Sequence, residues 1–386
     1  MDIDALFYDS LDLLKQIIVR PSFSREETDL ADFLENYLKE KKLLPQRKGN
    51  NIWLLSPNWD DRKPVVLLNS HIDTVKPVPG WSRDPFSPFE ETGKIYGLGS
   101  NDAGASLVSL LQVFLILSEM QQENNFIFLA SCEEEISGAN GIESVLPLLP
   151  PVDWAVVGEP TGMRPAIAEK GLMVIDATVY GKSGHAARDE GQNAIYKAIP
   201  AIEWFRNKQF SKISPLSGAV KMTVTMVQAG TQHNVVPGEC KFTVDIRTNE
   251  CYTNEEIFRE ISAALKPCHG GLDPSSPEKL AVDYGEIAGL RCATPVMTDG
   301  IEIKARSFRL NASHISPEHP LVKRAELLGL VPFASPTLSD QALMPFPSLK
   351  IGPGESSRSH IADEFVYLHE IREAIDIYLR LLSHIK

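Results

Sequence analysis

Positive charge is the first thing this chain is short of. Its 38 Lys and Arg stand against 51 Asp and Glu, a formal net charge of −13. Nucleic-acid binding needs basic surface to neutralise phosphates, and docking on anionic lipid needs the same, so neither partner is expected. Long apolar runs are also missing. The longest, Leu107 to Leu117, is interrupted by Ser109 and Gln112 and falls short of the roughly 20 residues of a spanning helix. The opening MDIDALFYDS has neither the basic start nor the apolar core of a secretory leader. The five cysteines, Cys132, Cys240, Cys251, Cys268 and Cys292, are scattered and form no Cys-x-x-Cys pair. That argues against a disulfide framework and sets the expectation of a cytoplasmic protein. Repeats and low-complexity tracts are absent as well.

What is present fits a globular protein. The 386 residues predict two domains at about 100–200 residues each, and 43% hydrophobic content is enough for sizeable cores. Leu11, Leu14, Ile17 and Ile18 recur at helical spacing. Ser24 and Glu27 have the S-x-x-E pattern of a capping box, opening a second helix toward Lys41. Residues 64–69, 125–130 and 152–157 read as short apolar strands, and 103–120 as an amphipathic helix. Such strands predict a largely parallel sheet covered on both faces, in a three-layer α/β/α domain.

The pattern changes near Gly171. Strands at 172–180, 219–227, 241–247 and 303–310 interleave with helices at 193–206 and 254–265. The order β-α-β-β-α-β predicts an α+β, ferredoxin-like domain inserted into the first. The α/β pattern resumes at Pro317 and ends with a helix at 368–385. The expected domains are therefore 1–170 with 314–386, and 171–313. The second carries a surface insertion at about 267–300, where HGGLDPSSPE is loop chemistry.

Several polar residues follow the predicted strands. His71-Ile72-Asp73 comes directly after PVVLLNS; residues i and i+2 of extended chain share a side, so Asp73 can support His71 and fix its tautomer. Taken alone, it also reads as a strand-end turn. Asp102, in YGLGSNDAGAS, is well placed to cap the following helix. Glu133-Glu134-Glu135 reads as a solvated acidic turn, or as repelling carboxylates that a cation would reconcile. Glu159 and His360 are, singly, an ordinary surface glutamate and a loop histidine. Together they change meaning. Ligands of open α/β sheets bind outside the carboxyl ends of the strands, and two histidines with several carboxylates suit zinc.

The stretch HIDTVKPVPGWSRDPFSPFEETGKIYGLGSNDAG is followed in order by CEEEISG, VVGEPT, GKSGHAA, NVVPGE, DIR and GPG…SHIADEF. This series resembles the family of acetylornithine deacetylase, succinyl-diaminopimelate desuccinylase, aminoacylase and glutamate carboxypeptidase, most of all its acetylornithine deacetylase branch. The resemblance implies two zinc ions, with cobalt or manganese as substitutes. One would take His71, Asp102 and Glu159; the other Asp102, Glu135 and His360, with Asp102 bridging. It implies Asp73 behind His71, and Glu134 as general base. It also implies His185 as an oxyanion donor from the partner subunit of a homodimer, and Arg247 and Asn234 as substrate contacts. The reaction implied is hydrolysis of an Nα-acyl, ornithine-like amino acid, in arginine biosynthesis; the alternatives are a desuccinylase, general aminoacylase or dipeptidase of the same chemistry, and, against the full set of ligands and Glu134, a non-catalytic binding protein on this fold. Succinylated substrates would need a further cation, for which Lys170 and Arg358 are candidates. One departure stands out: the family's usual Asp-Met-Lys-Gly is here Asp102-Ala103-Gly104-Ala105.

Overall fold

Alternate residues of a strand point to opposite sides of its sheet, and in the central strands both sides are apolar. In Val65–His71, Val66 and Leu68 belong to one buried cluster while Val65 and Leu67 belong to another. In Asn125–Ser131, Phe126 and Phe128 divide from Ile127 and Leu129 in the same way. The first cluster is completed by helices Ile3–Ile18, Thr28–Glu40, Ala105–Glu119 and Leu368–Leu382. Each buried Leu or Phe contributes about 1.5–3 kcal/mol relative to exposure, so the cover on both faces is a main source of stability. The structure is a computed structural model and describes residues 3–265 and 300–383.

The strands form a nine-stranded sheet. Its order is Gln46–Lys48, Asn51–Leu55, Asn125–Ser131, Val65–His71, Trp154–Val157, Ser348–Lys350, Ala166–Glu169 and Ser313–His314, with Phe333–Ser335 also paired to Ala166–Glu169. The four strands from Asn125–Ser131 to Ser348–Lys350 are mutually parallel. The edges are antiparallel, so the sheet is mixed rather than uniformly parallel. At one edge the cause is local: Gly49 and Asn50 alone join two strands, and so short a link permits only an antiparallel pair.

Two local expectations are corrected. The helix predicted from Ala103 begins at Ala105, with Gly104 at its N-cap. Asp102 has φ −120° and ψ 95°, outside helical geometry, and does not cap it. The predicted capping box also does not form. The second helix opens at Thr28 without a side-chain cap. Ser24 Oγ instead donates to Asp73 Oδ2 at 2.7 Å, and Glu27 Oε1 accepts from the Glu133 N–H at 3.1 Å. The stretch Ser100–Glu119 is long and apolar enough to cross a membrane by composition, but 83% of its most apolar 18-residue window is buried within the fold, as in a core helix.

The chain divides into a larger unit, Met1–Lys170 with Ser214–Ser217 and Asn311–Lys386, and a smaller one, Gly171–Ile213 with Gly218–Leu310. The smaller unit has a four-stranded antiparallel sheet in the order Lys221–Ala229, Glu239–Thr248, Gly171–Tyr180, Ile301–Ala305. Helices Ala194–Asn207 and Asn254–Leu265 pack against it around Ile175, Val179, Phe205, Phe242, Val244 and Ile261. Chain order and sheet order together are those of a ferredoxin-like unit. The expected insertion at about 267–300 lies, apart from Gly300, outside the described residues.

Candidate metal centre

Four adjacent parallel strands end at one edge, and each delivers a polar residue there. His71 is the last residue of its own strand. Asn125–Ser131 runs into Cys132 and the three glutamates, Trp154–Val157 into Gly158 and Glu159, and Ser348–Lys350 into the loop that carries His360. After Ser131 the chain must reverse sharply. Glu133 takes a left-handed conformation, φ 55°, and a single 3-10 turn, Glu134–Ile136, follows. Gly138 completes the reversal, because a Cβ there would collide with the Glu133 carboxylate.

The acidic run divides its roles. Glu133 is buried, and its carboxylate accepts from Asn140 Nδ2 at 2.9 Å, so it holds the turn together. Glu134 and Glu135 face the other way. Asp102 lies at the middle of the cluster, with one oxygen to each side. Its Oδ1 is 3.3 Å from His71 Nε2, and its Oδ2 is 3.5 Å from His360 Nε2. His71 Nε2 is 3.8 Å from Glu159 Oε1, and His360 Nε2 is 3.0 Å from Glu135 Oε2. Ligand atoms of His71, Glu134 and Glu159 lie within 4.8 Å of one another, as do those of His71, Asp102 and Glu135. Glu134 is thus near enough to share an ion with His71 and Glu159.

His71 Nδ1 meets the main-chain oxygen of Asp73 at 2.9 Å, while the Asp73 carboxylate is farther, at 3.6 Å. With a proton held on Nδ1 by that oxygen, Nε2 becomes the atom that can offer a lone pair to a cation beside Asp102 and Glu159 once it gives up its own proton. The Asp73 carboxylate has a second task. It accepts from the Glu134 and Glu135 N–H groups at 3.0 and 3.1 Å and so fixes the glutamate turn against the histidine strand.

The electrostatics are those of too many carboxylates in too little water. Burial raises Glu134 well above the usual carboxyl range, and the neighbouring Glu159 adds to it. Burial pushes Glu159 up to about 8 and raises Glu135. The bond to Glu135 lifts His360 to about 9. Burial works against charge on His71, but Asp102 and Asp73 outweigh it and raise its pKa well above the ordinary value. A cation would relieve this crowding by taking the place of protons. The donor set of two imidazoles and several carboxylates is one that zinc accepts.

Further residues, not singled out in the sequence, hold this group. Glu364 is buried and its Oε1 accepts from the Asn101 and Asp102 N–H groups at 2.9 and 3.0 Å. Burial and the Asp102 charge push it up to about 8. Asp340 accepts from Ser131 Oγ at 2.6 Å at the base of the glutamate turn, and burial raises it to about 6. Lys350 is buried and donates to Glu169 Oε2 at 3.0 Å and to the Thr337 main-chain oxygen at 2.9 Å. A cavity of about 290 Å³ opens beside the cluster, lined by Asp102, Glu134, Glu135, Glu159 and His360 and extending to Arg164, Thr337 and Glu355.

The smaller unit carries the other three predicted residues. His185 is exposed, on a two-residue strand paired with Val235–Val236. The Ala186 N–H donates to the Asn234 main-chain oxygen at 2.9 Å, so the fold brings His185 and Asn234 together. The Arg247 guanidinium pairs with Asp245 on its own strand, through Nε at 2.9 Å and Nη2 at 3.2 Å. Arg358, in the larger unit, is held in a bidentate pair with Glu370 at 2.6 and 2.9 Å.

An α/β sheet with two histidines and a set of carboxylates at its parallel strand ends has the form of a metallohydrolase. The chain belongs to peptidase family M20/M25/M40, whose sequence model matches residues 67–384, and it is an enzyme of that family. It is 25% identical to acetylornithine deacetylase of Photorhabdus laumondii, over 97% of this chain and 96% of the relative. It is 26% identical to that of Shigella sonnei, over 97% of both. Among solved structures it resembles a tripeptidase from Staphylococcus aureus, with TM-score 0.72 and 18% identity over 97% of each chain. It also resembles a dinuclear metal-binding peptidase of the M20 family from Bacillus subtilis, with TM-score 0.68 and 15% identity over 98% of each chain. At such identities the solved structures speak for the fold.

Proposed function

We propose that this chain hydrolyses the amide bond of an Nα-acyl amino acid, with Nα-acetyl-ornithine or a succinyl or citrulline analogue as the preferred substrate, in arginine biosynthesis. The observation that carries the reading is the position of Asp102, one carboxylate oxygen toward His71 and the other toward His360. That placement suits a carboxylate shared by two ions, one held also by His71 and Glu159, the other by Glu135 and His360. The ions, zinc or in substitution cobalt or manganese, would supply Lewis acidity and a water whose pKa is lowered toward ~7.

The chain's own residues do the rest. Glu134 has a proton affinity raised by burial, which suits a group that takes a proton from the attacking water and returns it to the leaving nitrogen. Asp73 fixes the Glu134 main chain, so the base cannot drift from its place. His185 would donate to the developing oxyanion, and Arg247 and Asn234 would contact the substrate; these three roles rest on the sequence resemblance.

A cytoplasmic homodimer formed through the smaller unit belongs to the same reading. Two features support it. Among the described residues, strand Lys221–Ala229 pairs on one side only and exposes Met226 and Val227. The helix Ala194–Asn207 exposes Tyr196 and Ile199.

The test is amine release from a panel of Nα-acetyl- and Nα-succinyl-amino acids, including ornithine and citrulline, with and without zinc. Metal-dependent release from an ornithine-like member is expected. Cleavage of di- or tripeptides with none of the acyl amino acids, or bound metal with no hydrolysis at all, would overturn the reading.

A further inference from the structure

The cavity beside the metal centre is also lined by Arg164. This residue sits in the link between Trp154–Val157 and Ala166–Glu169, five positions beyond Glu159. Its guanidinium lies over the Phe333 ring, 4.6 Å from the centroid. Backbone pairing makes this stack: Phe333 is in register with Ala166, and its N–H donates to the Pro165 oxygen at 3.0 Å. Stacking holds the guanidinium by its face and leaves its edge donors open. Among the described residues no hydrogen bond or ion pair engages them.

The other cations nearby are already occupied. Lys350, on the same lining, is buried and donates to Glu169 Oε2 and to both oxygens of Thr337 that reach it. Arg358 is clamped by Glu370. His360 faces Glu135 and Asp102. The chain that follows Phe333 is tied to this wall: Ser339 Oγ donates to Glu169 Oε2 at 2.9 Å and Lys350 Nζ to the Thr337 main-chain oxygen at 2.9 Å. Beyond the metal-centre group, the lining has one acid, Glu355, and it makes no ion pair with Arg164.

We propose that Arg164, stacked on Phe333, is a specificity-determining residue that receives a substrate carboxylate away from the scissile amide. The preferred substrates would then be acyl amino acids that carry an anionic group at that end. Resting on the proposed amidohydrolase function, this names the substrate class more narrowly. A planar, pre-positioned fork suits a carboxylate and loses little freedom on binding it. The carboxylate has two possible sources, a dicarboxylic acyl group or the amino-acid half.

Paired substrates separate the sources. One pair is an N-succinyl amino acid against its succinamoyl analogue, which changes only the acyl terminus. The other is an N-acetyl amino acid against its α-carboxamide. Arg164→Ala should raise KM about ten- to a hundredfold more for the charged member than for the neutral member of one pair. Arg164→Lys keeps charge but loses the fork, and should fall between. Phe333→Leu should reproduce part of the effect.

A binding measurement keeps the inference testable if no acyl amino acid is turned over. Metal-loaded wild-type protein should bind glutarate more tightly than its monoamide, and Arg164→Ala should remove that preference. Equal effects of Arg164→Ala on charged and neutral members of both pairs, or an unchanged preference for glutarate, would overturn the assignment.

Discussion

Loading metal into this centre should expel protons, and their number follows from the residues that face it. Without metal, His360 is lifted to about 9 by its bond to Glu135, and Glu159 to about 8 by burial. At pH 7 both hold their protons, and His71 holds its own more firmly than a free imidazole, raised by Asp102 and Asp73 against the pull of burial. All three are proposed ligands, and a ligand must present a free lone pair. Zinc binding at pH 7 should therefore release about two to three protons per chain. Deprotonating Glu159 one unit below its pKa costs about 1.4 kcal/mol. His360 is 51% exposed, so solvent screening cuts its share to about 1 kcal/mol. Together these two weaken apparent affinity at pH 7 by about 2–3 kcal/mol, roughly two powers of ten, His71 adding to it, and affinity should climb as pH rises toward 9. The assay is calorimetric titration of chelator-stripped protein with zinc in buffers of different ionisation enthalpy. Heats that do not depend on the buffer would mean that no proton leaves, and the ligand assignment would fall.

Glu134→Gln should cut turnover by about 10²–10⁴-fold while bound metal, measured by elemental analysis, stays the same; loss of metal along with activity would place Glu134 among the ligands. His185→Ala should slow hydrolysis by about 10²–10³-fold without loss of metal, and an unchanged rate would remove it from catalysis. Asp73→Asn keeps the shape but sets an amide N–H₂ against N–H donors of the glutamate turn, so metal affinity should fall about 10–100-fold, as a competition assay with a chromophoric chelator would read. The metal-free protein should lose stability between about pH 5 and 8, checked by thermal melts of the chelated protein. Glu159 and Glu364 rise from 4.5 to about 8, and Asp340 from 3.8 to about 6. Raised folded-state values mean stability that is present at low pH and lost as pH climbs through them; a melting point that rises across that window would contradict the burial behind these shifts.

The parts of the molecule written in local pattern were legible in the sequence. Apolar runs such as VVLL and FIFL mark strands buried on both faces, and each polar residue just past such a run stands at the sheet edge. His71 needs no tertiary information to be placed there. The change of rhythm at Gly171 likewise announced a second unit. What was not legible depends on where distant side chains go. Ser24 and Glu27 have the spacing of a capping box, yet the fold offers them better partners in Asp73 and the Glu133 N–H, and long-range bonds win over a cap. Asp102 by itself reads as a helix cap because Asp before a helix usually is one; only the family motifs set it apart, and the fold then brings His71 and His360 to either side of it. Glu364 was invisible for the same reason, since its bond to the Asp102 N–H spans 262 positions. Arg247 carries a charge that suits a substrate, and the structure gives it a neighbour two residues away.

The larger unit is discontinuous in sequence, and the centre shows why its last segment matters. His71, Asp102, Glu135 and Glu159 all lie before residue 160, but they lack the second imidazole until Asn311–Lys386 joins the fold. That segment also brings the strand Ser348–Lys350, which extends the parallel run, and Glu364, which fixes the Asp102 main chain by accepting two N–H groups. Every carboxylate so gathered resists burial, and Glu134, Glu159 and Glu364 all rise in pKa as a result. The polypeptide therefore holds together carboxylates that oppose one another as soon as their protons leave. Apolar packing on both faces of the sheet keeps the strand ends in place, and main-chain N–H groups donating to Asp73 and Glu364 hold the turns that carry Glu134, Glu135 and Asp102. A cation that replaced the protons would turn this repulsion into attraction, so the same crowding that weakens the metal-free fold at high pH favours metal there.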